Sequence, residues 1–425
     1  MPEAGRADRL RLALLSRSVC PLHGHGGLER HVSDLLRHLS AAGVEVTLVT
    51  RPPQPGVKLQ GIVPDASVRQ LTVPYRTFPF AGRRGTTILD RSTAYLVFGY
   101  RAGRAAAVLS SAGQVDIVHA LGAAGLGYAV GRRRQEGTVP FVFNPQGLEE
   151  FGGIDGTYAG QPAKRLGYGP LRWAVRRCAD AADCVIATDR AIAPAVARHL
   201  GVGEDRIRLV PNAVDVAACE ALAGPADGAR TRAGRGIGAK ETVLLSVGRL
   251  ERNKGFHVLA RALGSLRPQR WRWVLVGDGP FRNDITRAVA EAGIASRTAL
   301  VGRVDDRQLH AWYEAATVFV HPTLYEGSSL VTLEAMVHRR PVIATTAGGL
   351  PDKVHDGETG WLVAPGSPDA LAGALARALA APERLPDLGA AGRALAEAEF
   401  SWTVVIRRQL DVYGELMALR PGARR

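Results

Sequence analysis

Short apolar runs recur along this chain at intervals that each leave room for one helix, and that alternation restricts the fold more than any other feature. In the first half the runs fall at 12–15, 44–50, 116–120, 139–144, 184–188 and 206–210. In the second half they fall at 242–247, 273–276, 298–301, 317–320 and 341–345. Between the first two, Leu28, Val32, Leu35, Leu36 and Leu39 share one face of a helix that ends before Gly43. Strands separated by helices pair in parallel, and such sheets are covered on both faces. At 425 residues the chain exceeds a single typical core. The expected class is therefore α/β, with two doubly wound, Rossmann-like domains. We place them at 1–215 and 216–400, with a last helix over 401–425. Ligands in such sheets bind at the carboxyl ends of the strands, and a cleft between domains is the default site.

Composition narrows the setting. Hydrophobic content of 46% and charged content of 22% are those of a soluble globular chain. Cys20, Cys178, Cys184 and Cys219 form no C-x-x-C pair and read as free thiols in a reducing cytosol. No run reaches eighteen apolar residues, and 12–15 is cut short by Arg17, so the expected location is cytoplasmic. Net charge is +14: residues 1–215 carry 27 Lys and Arg against 18 Asp and Glu (+9), and 216–425 carry 27 against 22 (+5). Nucleic acid, an anionic membrane and anionic small molecules all fit that excess. No recognised nucleic-acid-binding module accompanies it, and nucleic acid is not expected as a partner.

Chemistry concentrates in the second half. Glu326 and Glu334 stand seven residues apart between two apolar runs, in a strand–loop–helix–strand layout. Glu326 falls in the loop and Glu334 about two turns into the helix. Gly327, Ser328, Ser329 and Leu330 then lie at a helix start, where free backbone N–H groups hold anions. A carboxylate on each side of an anion hole suits a phosphate flanked by hydroxyls, as in a nucleotide-sugar. Arg249 and Lys254 follow the first strand of the same sheet, after Gly248. Two cations there can bind a diphosphate and stabilise it as it leaves. Near the N-terminus, the turn around Gly24, Gly26 and Gly27 permits close backbone approach to a ligand, although a tight turn needs none. No Asp-x-Asp pair and no histidine cluster at ligand spacing occurs, so no metal or other cofactor is expected.

These stretches resemble the retaining glycosyltransferases of the GT-B fold, in the fourth family, also called group 1. The resemblance runs from Gly26 to about Val363. It rests on Gly248-Arg249 with Lys254-Gly255, on Glu326 with Glu334-Ala335, on 341–344 with Gly348-Gly349, and on 210–212. It implies transfer of a sugar from a nucleotide-sugar to an acceptor hydroxyl, with the two domains facing across a cleft and the last helix returning to the first. It implies that Arg249 and Lys254 hold the donor diphosphate, that Glu326 contacts the sugar and that Glu334 binds ribose. Backbone of Ser329, Leu330 and Val331 would cap the phosphates. Gly302 and Val304 would lie beside the base, and Gly26 and Gly27 would complete the phosphate site. Glu326, Arg249 and Lys254 are the catalytic candidates. Gln146 stands where the family often has His, Ala213 where Gly is frequent and Asp352 where Glu is frequent.

The acceptor side is less defined. Residues 75–104 hold six arginines, Arg83 and Arg84 among them, with six aromatics and one acid, Asp90. A second basic stretch, 164–177, includes Tyr168 and Trp173. Such mixtures suit an anionic membrane surface, hence a lipid-linked or cell-envelope glycan acceptor and an enzyme peripheral on the inner face of the membrane. They equally suit aromatics in a core beneath solvated arginines. Gln146, Arg83 and Arg84 are the acceptor-side candidates. A nucleotide-sugar epimerase or a phosphorylase on the same fold is the alternative reading.

Overall fold

The computed structural model describes residues 9–24, 26–54, 56–57, 68–76, 90–132, 139–152, 166–238, 240–266 and 270–419. Arg83, Arg84, Phe78, Phe80 and Lys164 lie outside them. Two compact units are present, Met1–Pro211 with Val405–Arg425 and Asn212–Val404.

The first unit is a seven-stranded parallel sheet in the order β3-β2-β1-β4-β5-β6-β7. Its strands are β1 Arg11–Leu15, β2 Glu45–Thr50, β3 Val68–Thr72, β4 Ile117–Leu121, β5 Phe141–Asn144, β6 Cys184–Ala187 and β7 Ile207–Leu209. Five had been expected near these bounds within the central order, and β7 at one edge. The opposite edge strand, β3, carries Val-Arg-Gln-Leu-Thr with no fully buried residue, so it lacked an apolar signature. Helix α1, Gly27–Ala41, buries Val32, Leu35, Leu36 and Leu39, as their spacing dictates. Helices α2 Ala94–Ser111, α3 Leu126–Arg132, α4 Gly169–Ala181 and α5 Ala193–Leu200 complete the described cover. On α2, Gly99 and Gly103 leave no room for a Cβ against the backbone of residues 123 and 127–128. They let α2 pack closely on the segment that leads into α3.

The second unit is a six-stranded parallel sheet, β10-β9-β8-β11-β12-β13. Its strands are β8 Thr242–Val247, β9 Trp271–Val276, β10 Thr298–Gly302, β11 Val318–His321, β12 Val342–Thr345 and β13 Gly360–Val363. The edge strand β13 was not foreseen. Its pairing depends on Gly360, where a Cβ would meet the Val342 carbonyl oxygen at 1.9 Å. Helices α6 Val216–Leu222, α7 Pro225–Gly234, α8 Phe256–Gly264, α9 Arg282–Glu291, α10 Asp306–Ala315, α11 Leu330–Val337, α12 Pro368–Ala380 and α13 Leu385–Phe400 surround it. One apolar cluster lies on each face, around Trp273, Leu259 and Leu371 on one side and Phe319, Tyr313 and Met336 on the other. Both sheets reverse direction of growth at their first strand. The switch points lie between β1 and β4 and between β8 and β11.

The last helix, α14 Trp402–Ala418, enters the first unit from Val405 onward. Its Tyr413 is fully buried and its hydroxyl lies 2.8 Å from His119 Nδ1 on β4. His119 and His31 are both buried, and burial pushes their pKa values down to about 3 and about 4. The unfolded chain takes up protons at these groups from pH ~6.5 downward, and the folded chain does so only well below, so stability falls as pH drops across that window. Each histidine is expected to remove about 3 kcal/mol of stability by pH 4. Denaturation midpoints followed from pH 7 to 4 should fall steeply, and less steeply in His119→Gln. Equal slopes in the two proteins would contradict this.

Candidate active site

The second unit gathers its polar residues at the carboxyl ends of β8 and β11, at its switch point. After β8 the chain runs through Gly248 and Arg249 into a short 3-10 turn, Arg252–Lys254. That turn is fastened to the loop after β11. Leu324 N donates to Asn253 O at 2.7 Å, and Thr323 Oγ1 lies 3.0 Å from the same oxygen. Gly255, at φ +68°, sits against Pro322, whose carbonyl oxygen a Cβ would meet at 1.9 Å. Gly255→Ala therefore suffers both a backbone and a contact penalty. It is expected to cost at least 2 to 3 kcal/mol, on the order of a core defect, and to lower turnover because Lys254 is displaced. Thermal unfolding and initial rates check this.

Fastening the turn brings Lys254 to Glu326. Lys254 Nζ donates to Glu326 Oε2 at 2.7 Å. His321, the last residue of β11, reaches the same oxygen at 2.8 Å through Nε2. Burial works against the Glu326 carboxylate. The Lys254 charge and the hydrogen bond from His321 outweigh it, and its pKa lies well below the ordinary carboxylate range. Burial holds His321 neutral against the pull of Glu326. Nε2 then carries the proton, and the buried Nδ1 has no partner among the described residues. Both bonds engage Oε2, so Oε1 keeps its acceptor capacity.

The loop continues to Ser329, the N-cap of α11, whose hydroxyl accepts from Thr332 N at 3.3 Å. The N–H groups of Leu330 and Val331 have no acceptor within the helix, as at any helix start. Behind them Gly348, at φ +59°, approaches so closely that a Cβ would meet Glu326 O at 2.0 Å. Gly349 N donates to Gly327 O at 3.0 Å. Lys353, fully buried, donates to Ser328 Oγ at 3.1 Å and to Gly349 O at 3.3 Å. Glu334 is the fifth residue of α11, little more than one turn in rather than the two expected, because the helix starts at Leu330. Its Oε2 accepts from the Tyr313 hydroxyl at 2.8 Å. Tyr313 lies flat on His338, with ring centroids 5.6 Å apart at 7°.

Three strand ends carry glycine in conformations closed to other residues. These are Gly248 (φ +155°), Gly277 (φ +136°) and Gly302 (φ +85°). Gly277 N donates to Gly302 O at 2.8 Å, and a Cβ on Gly277 would meet Gly248 O at 1.9 Å. The floor beside the switch point is thus bare backbone, with Val304 half-buried next to it. Arg249 is not drawn into the cluster with Lys254. It is 71% exposed and its Nε stands 3.1 Å from Glu251 Oε1.

In the first unit, Gly26 precedes α1 as its N-cap and Gly27 begins it. Gln146 follows β5 in the left-handed region (φ 66°); its backbone N–H donates to Asn144 Oδ1 at 2.9 Å, and its buried Nε2 is unpartnered among the described residues. A non-glycine residue in that conformation is uncommon, and strained positions of this kind cluster at functional sites. The sequence reading missed His321, Tyr313, Lys353 and Gly277. A histidine closing the strand five residues before Glu326 was the one signal available.

Residues 25–218 match the model of Glycosyltransferase Family 4, and 241–381 match that of Glycosyl transferases group 1. D-inositol 3-phosphate glycosyltransferase 2 of Catenulispora acidiphila is 30% identical over 438 residues, covering 96% of this chain and 97% of its own. The chain belongs to the group 1 glycosyltransferases. Another relative in the group, the alpha-maltose-1-phosphate synthase of Mycobacterium tuberculosis, is 29% identical over 96% of this chain and all of its own. Among solved structures, the sucrose-phosphate synthase of Thermosynechococcus elongatus aligns with a TM-score of 0.75 at 27% identity, covering 97% of this chain and 100% of that one. An Anabaena protein solved with UDP-glucose, HepE, aligns at 0.71 with 20% identity over 96% and 100%. This group 1 glycosyltransferase has the GT-B fold, two parallel-sheet α/β units. No helix among its described residues is long and apolar enough to cross a membrane.

Proposed function

We propose that this glycosyltransferase moves a hexosyl group from a nucleoside-diphosphate sugar to an acceptor hydroxyl with retention at the anomeric carbon, and that it does so without a metal ion. The observation that carries the proposal is Glu326, part-buried and clamped at Oε2 by Lys254 and His321 beside the start of α11. A carboxylate fixed in this way presents Oε1 to a sugar hydroxyl. Lys254 and the N–H groups of Leu330 and Val331 supply positive potential where a departing diphosphate gathers charge. Arg249, exposed and facing Glu251, is the second cation proposed for the diphosphate, which it meets only by leaving Glu251. Glu334, oriented by Tyr313, accepts from ribose hydroxyls, while the glycine floor of Gly248, Gly277 and Gly302 admits a flat base. Gly327 and Ser328, tied down by Gly349 and Lys353, lead into the phosphate-facing helix start, which Ser329 caps.

The chemistry follows from that arrangement. The bond between the anomeric carbon and the diphosphate breaks with charge flowing onto oxygens faced by Lys254 and amides. The acceptor hydroxyl attacks from the same face and gives its proton to the departing diphosphate oxygen. His321, neutral and already donating to Glu326, is not called on as a base. Among the described residues no three His, Cys, Asp or Glu side chains converge in a way that could hold a metal ion. The fixed cations are what support metal-independent turnover.

On the acceptor side, Gln146 is the proposed contact from the first unit. Exposed Val97, Tyr100 and Val108 on α2, with Arg101 and Arg104 on the same helix, support a lipid-linked or envelope-glycan acceptor met at the inner face of the membrane. Phe98, by contrast, is core. Proton NMR of the first product formed in a chelator from an α-linked donor tests the reading. It should show the α-configuration at an undiminished rate. A β-linked product, or a rate restored only by magnesium, would overturn retention or metal independence respectively.

A further inference from the structure

The carboxyl edge of the first sheet holds a second cationic cluster that the donor chemistry does not use. Arg17 lies two residues past β1, Arg51 one past β2 and Tyr75 three past β3. Tyr95 of α2 donates through its hydroxyl to the carbonyl of Leu121, the last residue of β4, at 3.1 Å. The cluster therefore stands at the switch point between β1 and β4, where doubly wound sheets take their ligands. Each guanidinium is laid on a tyrosine ring. Arg17 Cζ is 4.6 Å from the Tyr95 centroid and Arg51 Cζ 5.3 Å from that of Tyr75. Stacking fixes the planes; Arg17 is also hydrogen-bonded to the Tyr75 hydroxyl, while Arg51 keeps N–H groups for a ligand.

Its charges do not close. Asp90 accepts from Tyr75 at 2.7 Å and lies 3.9 Å from Arg17. Arg51 makes no ion pair among the described residues, and its buried Nε has no hydrogen-bond partner there. Ser18 Oγ and Thr50 Oγ1, at the same strand ends, are likewise buried and unpartnered among the described residues. Glu29 and Asp90 are both near enough to be felt by Arg51, but neither is in an ion pair with it among the described residues. Burial, then the like charge of Arg17, pushes the Arg51 pKa below its ordinary value. With both carboxylates at a distance, a half-buried arginine with five donors beside a second arginine keeps N–H groups that a small anion can take directly.

We infer that Arg51, with Arg17 beside it, seats a phosphate group carried by the acceptor. The inference rests on the transferase reading and names its acceptor class: a hydroxyl compound bearing a phosphate ester, whether soluble or lipid-linked. A guanidinium edge and a tetrahedral oxyanion make paired, charge-assisted hydrogen bonds, which an unphosphorylated acceptor cannot.

Inorganic phosphate is the probe. It is titrated calorimetrically into the full chain at constant ionic strength with saturating UDP present, so that any diphosphate site is filled. Wild type should bind it, Arg51→Gln at least about tenfold more weakly, and Arg51→Lys in between. No binding to wild type, or equal affinity in Arg51→Gln, would overturn the inference. If Arg51→Gln does not fold, Arg17→Gln and Arg51→Lys carry the same comparison. Glycerol 3-phosphate against glycerol, and phosphatidylglycerol against phosphatidylcholine vesicles, then separate the sources. Sedimentation that depends on Arg51 assigns a lipid-linked acceptor, and its absence assigns a soluble one. UDP binding is read in the same experiment and should not change in Arg51→Gln. Loss of UDP binding in wild type would instead count against the donor reading.

Discussion

Replacing Lys254 by methionine is expected to lower kcat/KM by about 10³-fold or more and to destabilise the second unit. Two effects combine. The first is loss of a cation facing the departing diphosphate, for which a single preorganised group is worth about 10² to 10³ in rate. The second is the fate of Glu326. Its carboxylate is held ionised inside the protein by the Lys254 charge and by His321. Without Lys254 it is a mostly enclosed charge with one donor, and the cost is about 2 to 3 kcal/mol, below the about 3 to 5 kcal/mol of a fully buried pair because both side chains keep some solvent contact. Glu326→Gln alone and the double change Lys254→Met with Glu326→Gln separate the two. The double variant should recover most of the lost stability and fall below Glu326→Gln in rate. A rate equal to that of Glu326→Gln would mean that Lys254 acts only by supporting Glu326 and the fold. Thermal unfolding and initial rates on the three variants give the answer.

Glu334→Ala is expected to raise the KM for the donor about 100-fold while changing kcat far less. Ribose hydroxyls lie away from the breaking bond, so their contacts act alike on ground and transition states. Loss of a charged acceptor of two hydrogen bonds is worth about 1.5 to 3 kcal/mol, or about 10- to 100-fold. The upper figure applies because Tyr313 already orients the carboxylate, with its hydroxyl 2.8 Å away. Tyr313→Phe keeps the ring on His338 and removes that bond together with the 3.2 Å contact of the hydroxyl to Val331 O. It should raise KM several-fold and leave kcat in place. A fall in kcat with unchanged KM in Glu334→Ala would assign that glutamate to the reacting end of the donor instead.

Much of this fold was legible because each central strand is a continuous apolar run and each helix shows its period. The edge strands were not. β3 has no fully buried residue, and β13 begins at a glycine chosen for contact with β12 rather than for strand propensity. The site was legible in its charged residues and not in their partners. Glu326, Lys254 and Glu334 announce themselves by charge and spacing. His321 touches Glu326 only because β11 ends where it does, and Tyr313 reaches Glu334 from a different helix. Lys353 was passed over beside Asp352, yet it is fully buried beneath the 326–329 loop. Arg249 shows the opposite limit. Sequence proximity paired it with Lys254, but its side chain turns to Glu251. Local pattern encodes which elements form, and tertiary contact decides which side chains meet.

The central claim is that the diphosphate of the donor is gripped by Lys254 and helix-start amides, with no divalent ion between. Calorimetric titration into the protein, in excess chelator, of whichever of UDP, ADP and GDP binds most tightly tests it most directly. The account predicts binding of the same affinity with or without magnesium, weakened at least about tenfold in Lys254→Met. Binding that appears only when magnesium is added, or that is indifferent to Lys254, would contradict it.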